Sequence, residues 1–254
     1  MPPATLSVVI PTKNAAHLLV DCLESVAWAD DIVVVDMHSD DGTDEVCARF
    51  PHCRMFRRDD YIFANANFGF EQATGEWILR LDSDERVTPE LADEVRAILA
   101  SPPEDVTGYE CWERVFVLGR ELRHGWGSRH YRKMLFRRGS AHYPLRREHE
   151  DLETSGRWLR TQHGYIHLNY PRVRDYLVKT NYYTDRDVER MVVTRRPKKR
   201  TAVVEPLRAF YLNYVKRRGY RDGWIGFLDA SMRAVYQLVQ WAKTMERWEE
   251  ERRR

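Results

Sequence analysis

The chain has 254 residues, 43% hydrophobic and 31% charged, with four cysteines and a formal net charge of +2. That length and apolar content suit one large α/β core, or a core with an appended piece, and exclude a disordered chain or a disulfide-stapled scaffold. The near-neutral total conceals an asymmetry, because 20 basic and 28 acidic residues lie in 1–171 against 21 and 11 in 172–254. A basic tail on an acidic body points to a phosphate-bearing partner, either a membrane surface or nucleic acid, or else to a solvated helical face. Cys22, Cys47, Cys53 and Cys111 form no Cys-x-x-Cys pair and read as small core residues in a reducing compartment. No charged-then-apolar leader opens the chain, and no apolar run nears the roughly 20 residues of a spanning helix. The expectation is a cytoplasmic protein, at most peripheral at the inner face of the membrane.

Leu6 to Ile10 is a continuous apolar run, fit for a buried parallel strand, and Pro11-Thr12-Lys13-Asn14 stops it. Leu18, Cys22, Leu23 and Val26 follow helical spacing. Ile32 to Val35 is a second buried strand ending at Asp36, His38 to Gly42 is turn chemistry, and Asp44 to Phe50 is a short helix. Arg54 to Arg57 forms a third strand, and Ala64 to Ala73 a helix punctuated by Gly75. Trp77 to Leu81 is the fourth strand. Thr88-Pro89 has the cap-then-proline form of a helix start, continued by Leu91, Val95 and Ile98. Strands alternating with short helices predict a mainly parallel sheet with helices on both faces.

The texture changes after Ser101-Pro102-Pro103. Tyr109 to Leu118 and Lys133 to Arg137 read as strands with no helix between them, and Gly119 to Tyr131 as an irregular loop over a site. The chain reads as helical from Tyr176, with a basic connector at Arg195 to Arg200 and two more helices after Pro206. In the last helix, Trp224, Phe227, Leu228, Ser231, Val235, Leu238, Ala242 and Met245 share one face. The expected division is a catalytic domain over 1–175, with its nucleotide part in 1–100 and its acceptor part in 101–175, and a helical basic extension over 176–254.

The fourth strand ends in Asp82-Ser83-Asp84-Glu85. Alternate side chains of a strand share a face, so Asp82 and Asp84 can point the same way beyond its carboxyl end, where open α/β sheets bind ligands. Two hard carboxylate oxygens there suit Mg²⁺ or Mn²⁺, and such a metal in turn holds a diphosphate. Asn14 and Asp36 would lie side by side if the first two strands are neighbours. A short acidic side chain at a strand's end suits the ribose hydroxyls or a base N–H of a nucleotide, or starts a turn. Pro-Thr-Lys-Asn stands where a glycine-rich phosphate loop would follow the first strand, which argues against a dinucleotide fold and a P-loop.

Four segments resemble family-2 glycosyltransferases of the GT-A fold: Ser-Val-Val-Ile-Pro-Thr-Lys-Asn (7–14), Val-Val-Val-Asp-Met-His-Ser-Asp-Asp-Gly-Thr (33–43), Ala-Asn-Phe-Gly (66–69) and Ala-Thr-Gly-Glu-Trp-Ile-Leu-Arg-Leu-Asp-Ser-Asp-Glu (73–85). Met134 to Arg137, His149-Glu150, Tyr165-Ile166-His167, Tyr176 with Lys179 and Tyr182, and Gly219 to Gly223 resemble the branch containing lipopolysaccharide-core β-1,4-glucosyltransferases. The resemblance implies an inverting transfer from a UDP-sugar, most naturally UDP-glucose, to a hydroxyl of a lipid-linked or lipopolysaccharide-core glycan. It implies that Pro11, Thr12 and Asn14 line the base pocket, that Asp36 meets uridine or ribose, and that Asn67 lies in the donor site. Asp82 would then face the ribose side and Asp84 the metal, with His167 completing the metal shell. Glu150 is the implied base, following the histidine of the His-Glu pattern, with Asp151 as its rival and His149 as an orienting group. Many relatives carry an arginine where Ala66 stands, so Arg80, Arg86 or Arg132 is the candidate substitute at the diphosphate. Trp112, Trp126 and Tyr131 are stacking candidates for sugar rings, or core residues. The rival readings are a sugar nucleotidyltransferase, which would want a glycine-rich basic loop after the first strand, and a non-enzymatic binder of membrane surface or nucleic acid built on Arg195 to Arg221. No nucleic-acid motif accompanies that basic tract, so no nucleic-acid partner is expected.

Overall fold

The computed structural model describes residues 2–127, 130–145, 151–190 and 196–253. The strands are β1 (Leu6–Thr12), β2 (Asp31–Asp36), β3 (Cys53–Arg57), β4 (Trp77–Arg80), β5 (Glu85–Val87), β6 (Val106–Val117), β7 (Arg120–Leu122), β8 (His130–Arg137), β9 (Ala141–His142), β10 (Glu153–Thr154) and β11 (Arg157–Tyr170). The helices are α1 (Ala16–Val26), α2 (Thr43–Cys47), α3 (Ile62–Gln72), α4 (Pro89–Ala100), α5 (Val173–Arg190), α6 (Thr201–Phe210) and α7 (Trp224–Arg253). A π-helical stretch, Tyr211–Lys216, continues α6, and a 3₁₀ turn, Gly219–Asp222, precedes α7. The chain forms two compact units: Met1–Glu113 with His130–His167, and Arg114–Arg129 with Leu168–Arg254.

In the first unit the strands run in the order β3-β2-β1-β4-β8-β6-β11-β5. The first four are mutually parallel, as the alternation of strands and helices predicts, and β8 turns antiparallel against β4. Both faces of this sheet are covered. Val8, Ile10, Ile32, Val34, Trp77 and Leu79 face a core completed by α1, α2 and α4, while Val9, Val33, Val35 and Ile78 face the other way onto α3. Two buried faces explain why these strands read as unbroken apolar runs. Pro11 is tolerated because β4 pairs with β1 only through Val9, so its missing N–H leaves no ladder bond unmade.

Two short-range expectations are refined. Thr88 caps α4, its hydroxyl accepting from Leu91 N at 3.2 Å, with Pro89 in the first turn. Gly75 is not the helix's left-handed cap, since α3 ends through extended Ala73. Gly75 is instead a site of close approach, where an added Cβ would lie 2.5 Å from the Ser7 backbone nitrogen. Five strands were not expected from the sequence: β5, β9, β10 and β11, and β7, which forms inside the 119–131 stretch expected to be an irregular loop. β5 is three residues long and begins on a charge, and polar residues interrupt β11, so neither carries a readable apolar period. All four cysteines are free thiols.

In the second unit, the last residues of β6 pair with β7, and Val115, Val117 and Leu122 pack with Ile225 of α7. Helix α5 is tied to α7 where the Tyr176 hydroxyl donates to Met232 O and where Tyr236 Oη and Gln240 Nε2 both donate to Asp187 at 2.7 Å. Two expectations are corrected here. Pro206 lies inside α6, which starts at Thr201, so the proline omits one backbone hydrogen bond without ending the helix. The apolar face read for α7 points outward: Trp224, Phe227, Val235 and Leu238 are exposed, while Ile225, Gly226, Asp229, Ala230 and Met232 are buried. The cause is close packing. An added Cβ on Gly226 would lie 1.9 Å from Gly219 O, so small residues mark the buried side. No described helix is long and apolar enough to cross a membrane.

At the amino end of the first four strands, Asp31 acts as a clasp. It accepts from Ser7 Oγ at 2.7 Å, from Arg54 Nε and Nη2 at 2.9 and 3.0 Å, and from Thr74 N and Oγ1 at 3.1 and 3.0 Å. Burial alone would raise its pKa, but these donors outweigh it and hold the carboxyl below its usual range. A depressed folded-state pKa contributes stability that is present above the unfolded value and lost as pH falls through the folded one. Asp31→Asn is therefore expected to destabilise the fold by about 1–3 kcal/mol at neutral pH. Urea titrations should find the gap between variant and parent closing as pH falls below the carboxylate range.

Candidate active site

Three turns of the first unit meet at the carboxyl ends of β1, β2 and β4. Thr12 is in register with Asp36, and Met37 N donates to Thr12 O at 2.9 Å, so the ends of β1 and β2 lie together. Asn14 and Asp36 are joined through Ser39. Its N–H donates to Asp36 Oδ2 at 3.1 Å, its hydroxyl donates to Asp36 Oδ1, and its Oγ accepts from Asn14 N at 2.8 Å. Asp40 N donates back to Asn14 Oδ1 at 3.1 Å. Asn14 has φ +48° and His38 φ +55°, left-handed conformations that fold both loops tightly beyond the strand ends. The Thr12 hydroxyl is buried and has no hydrogen-bond partner. The structure thus brings Pro11, Thr12, Asn14 and Asp36 to one edge.

Asp82 and Asp84 have separate surroundings. The Asp82 carboxylate is gripped by buried Arg80 through two parallel bonds, Nη1 to Oδ2 at 2.8 Å and Nη2 to Oδ1 at 2.7 Å, and Arg132 lies 3.5 Å away. Arg132 also pairs with fully buried Glu85, whose Oε2 accepts from Asp82 N at 2.8 Å. Burial would lower the Arg80 pKa, but the Asp82 charge more than compensates, and the guanidinium stays protonated. Burial also raises the Glu85 carboxyl, with Arg132 opposing. Arg86 bonds Ser83 O, Glu85 O and Leu18 O at 2.9, 2.8 and 2.6 Å, which makes it a brace for the turn. Ala66, on the sheet-facing side of α3, is fully buried in the core.

Asp84 faces His167. Its Oδ2 is 3.6 Å from His167 Nε2, while His167 Nδ1 donates to Glu113 Oε1. Register places these groups, because His167 of β11 pairs with Glu85 of β5, just past the Asp82–Asp84 turn. Burial would lower the His167 pKa. The Asp84 charge, with hydrogen bonds to Asp84 and Glu113, outweighs it and holds the imidazole up at about 10. Glu113 is depressed in turn, since burial is overcome by its bond to His167.

A carboxylate oxygen and an imidazole nitrogen facing each other, with the far ring nitrogen fixed by a second carboxylate, form a donor set that fits a divalent metal such as Mn²⁺. An imidazole ligates as the neutral ring, so the Nε2 proton must leave first. Among the described residues no cluster of three or more His, Cys, Asp or Glu forms a complete cage. Two protein ligands leave positions for phosphate oxygens, the usual arrangement for an ion that accompanies a phosphate substrate.

Other expected residues are placed differently. Asn67 forms a reciprocal pair with the Tyr143 backbone, Nδ2 to O and N to Oδ1 both at 2.8 Å, so its amide braces α3 against the 143 segment. Asp151 is exposed next to buried Leu152. Glu148, His149 and Glu150 lie outside the described residues. Tyr131 pairs in register with Trp112 and lies under Arg160, at 4.4 Å from its ring centroid. Trp126, in the second unit, is flanked by Arg233 and Arg217 at 4.3 and 5.5 Å. Glu85 and Glu113 were assigned no role from the sequence. For Glu113 a signal existed, because it sits on the inward, apolar side of an alternating strand between Cys111 and Val115.

Comparison with known proteins fits this geometry. The sequence profile of Glycosyl transferase family 2 matches residues 7–151. The chain is 27% identical to the lipopolysaccharide core biosynthesis glycosyltransferase LpsC of Rhizobium meliloti, covering 97% of this chain and 94% of that protein. It is 22% identical to an uncharacterized glycosyltransferase of Rickettsia felis over 95% of this chain and 89% of the relative. Among solved structures, the mannosyltransferase PcManGT of Pyrobaculum calidifontis, in complex with GDP-Man and Mn²⁺, superposes with a TM-score of 0.55 at 13% identity, over 96% of this chain and 87% of that one. That likeness is one of fold, and the fold is GT-A. With a profile spanning more than half its length, the chain belongs to glycosyl transferase family 2.

Proposed function

We propose that the protein transfers a sugar, glucose by preference, from a UDP-sugar to a hydroxyl of a lipopolysaccharide-core or other lipid-linked glycan, with inversion at the anomeric carbon. The observation that carries this reading is the Asp84–His167–Glu113 arrangement beside the nucleotide-facing edge of β1 and β2. Similarity to LpsC along nearly the whole chain supports the acceptor class. PcManGT, which shares the fold, holds GDP-Man and Mn²⁺, and this supports a nucleotide-sugar and a metal.

In this reading Asn14 and Asp36 hold the nucleoside, and the orphaned Thr12 hydroxyl gains a partner there. Asp82, oriented by Arg80, meets the ribose side, while Arg132 sits where charge on the diphosphate would gather. Mg²⁺ or Mn²⁺ held by Asp84 and His167 would neutralise the departing diphosphate. Glu113 fixes Nδ1 of His167 so that Nε2 faces Asp84. A carboxylate, Glu150 or the neighbouring Asp151, takes the proton of the acceptor hydroxyl as its oxygen bonds to the anomeric carbon and the bond to the diphosphate breaks on the opposite face. Asn67 shapes the wall by holding Tyr143.

Thermal-shift measurements with a panel of nucleotide-sugars, with and without Mn²⁺, test the donor, since a ligand that binds only the folded state raises the melting temperature. A Mn²⁺-dependent shift with UDP-sugars is expected, and Asp84→Ala should remove it. A shift with GDP-mannose and none with any UDP-sugar would refute the donor assignment. A sugar nucleotidyltransferase would instead bind a nucleoside triphosphate and release pyrophosphate. Glu113→Gln should weaken Mn²⁺ affinity about tenfold or more in a direct titration, and it should also lower the melting temperature of the metal-free protein, because it removes the carboxylate paired with buried His167.

A further inference from the structure

Residues 196–223 carry nine basic side chains and two acidic ones. Helix physics does not account for them. Lys198, Lys199 and Arg200 crowd the amino end of α6, where the helix dipole disfavours cations. All three are exposed, as are Arg208, Lys216, Arg217, Arg218 and Arg221 further along.

Within this basic tract runs an apolar stripe. Val203, Leu207, Tyr211 and Val215 recur every fourth residue along α6 and its π-helical continuation, and they are 59%, 64%, 56% and 46% exposed. Side chains four apart lie on one helical face. The stripe leads into an aromatic cluster at the start of α7. The Phe227 ring is 5.7 Å from both Phe210 and Tyr214, Tyr214 is 6.3 Å from Tyr220, and Tyr220, Trp224 and Phe227 are each about half exposed. So large an unpartnered apolar surface marks an interaction site.

We propose that this face of α6 and the start of α7 docks on a lipid bilayer bearing anionic headgroups. Aliphatic and aromatic side chains enter the headgroup boundary, and the surrounding lysines and arginines meet lipid phosphates. Charge selects the occupant. A second copy of the chain on the same face would set one strongly cationic tract against another. Nucleic acid would use the cations but leave the row of Val, Leu, Tyr and Trp side chains without a counterpart. The helices are too short or too polar to span, so the chain lies on the bilayer. This inference does not depend on the donor chemistry of the first unit.

Flotation of the full chain with phosphatidylcholine vesicles, with and without phosphatidylglycerol, tests it. Binding to the anionic vesicles should exceed binding to the neutral ones by roughly tenfold or more and should weaken with added salt. The double variant Leu207→Ser with Tyr211→Ser, at exposed positions that keep all the charge, should lose most of that binding while its circular dichroism and its donor-induced thermal shift match the parent. Equal binding to both vesicle types overturns the proposal. So does a double variant that binds like the parent, a concentration-dependent dimer dissolved by the same substitutions, or duplex DNA held as tightly by the double variant as by the parent. A chain that binds vesicles but no UDP-sugar leaves the proposal standing and overturns only the donor assignment.

Discussion

The site depends on a buried lattice of two carboxylates and two guanidinium groups beneath the tip of β4. Arg80 holds Asp82 by two bonds, Arg132 reaches both Asp82 and Glu85, and Glu85 accepts from Asp82 N. Removing one member of such a set leaves an uncompensated buried charge, at a cost of about 3–5 kcal/mol. The lattice fixes the turn between β4 and β5, and Asp84 stands on that turn. Two aspartates one residue apart therefore have distinct surroundings: Asp82 is held between Arg80 and Arg132, and Asp84 faces His167.

The same sheet carries a second polar centre at its opposite end. Asp31 gathers Ser7, Arg54 and Thr74 where the strands begin, and Gly75 lets the chain pass close by Ser7. There Asp31 accepts five hydrogen bonds from the protein's own side chains and backbone. At the carboxyl ends, by contrast, one hydroxyl is left unpaired at Thr12, and an imidazole is held in orientation by Glu113. The structural clasp lies at one end of the strands, and the candidate site at the other, where open α/β sheets bind ligands.

The second unit follows a different logic. Small residues, Gly219, Gly226 and Ala230, permit close contact between the 3₁₀ turn and α7. Asp222 ties the 123–124 segment to that turn, accepting from Arg123 N and His124 N at 3.1 and 2.8 Å. Gly226 and Ala230 share the inward side with Ile225 and Met232, while Trp224, Phe227, Val235 and Leu238 are left outward, the reverse of what a hydropathy face suggests.

The parallel half of the sheet was legible in the sequence because β1, β2 and β4 are buried on both faces and so read as apolar runs. Asp36, Asp82 and Asp84 were legible because a strand's end followed by an acid is a local pattern, and the order of those patterns resembles the family to which the chain belongs. Tertiary structure alone decided the rest. β11 becomes a strand only between β6 and β5, and that pairing carries His167 to Asp84 across more than eighty residues of chain. Glu113 meets His167 and Arg132 meets Asp82 and Glu85 only through partners distant in sequence. Local composition determines which segments bury a face, whereas the partner of a charge or the outward side of a helix depends on contacts that exist only once the chain has closed on itself.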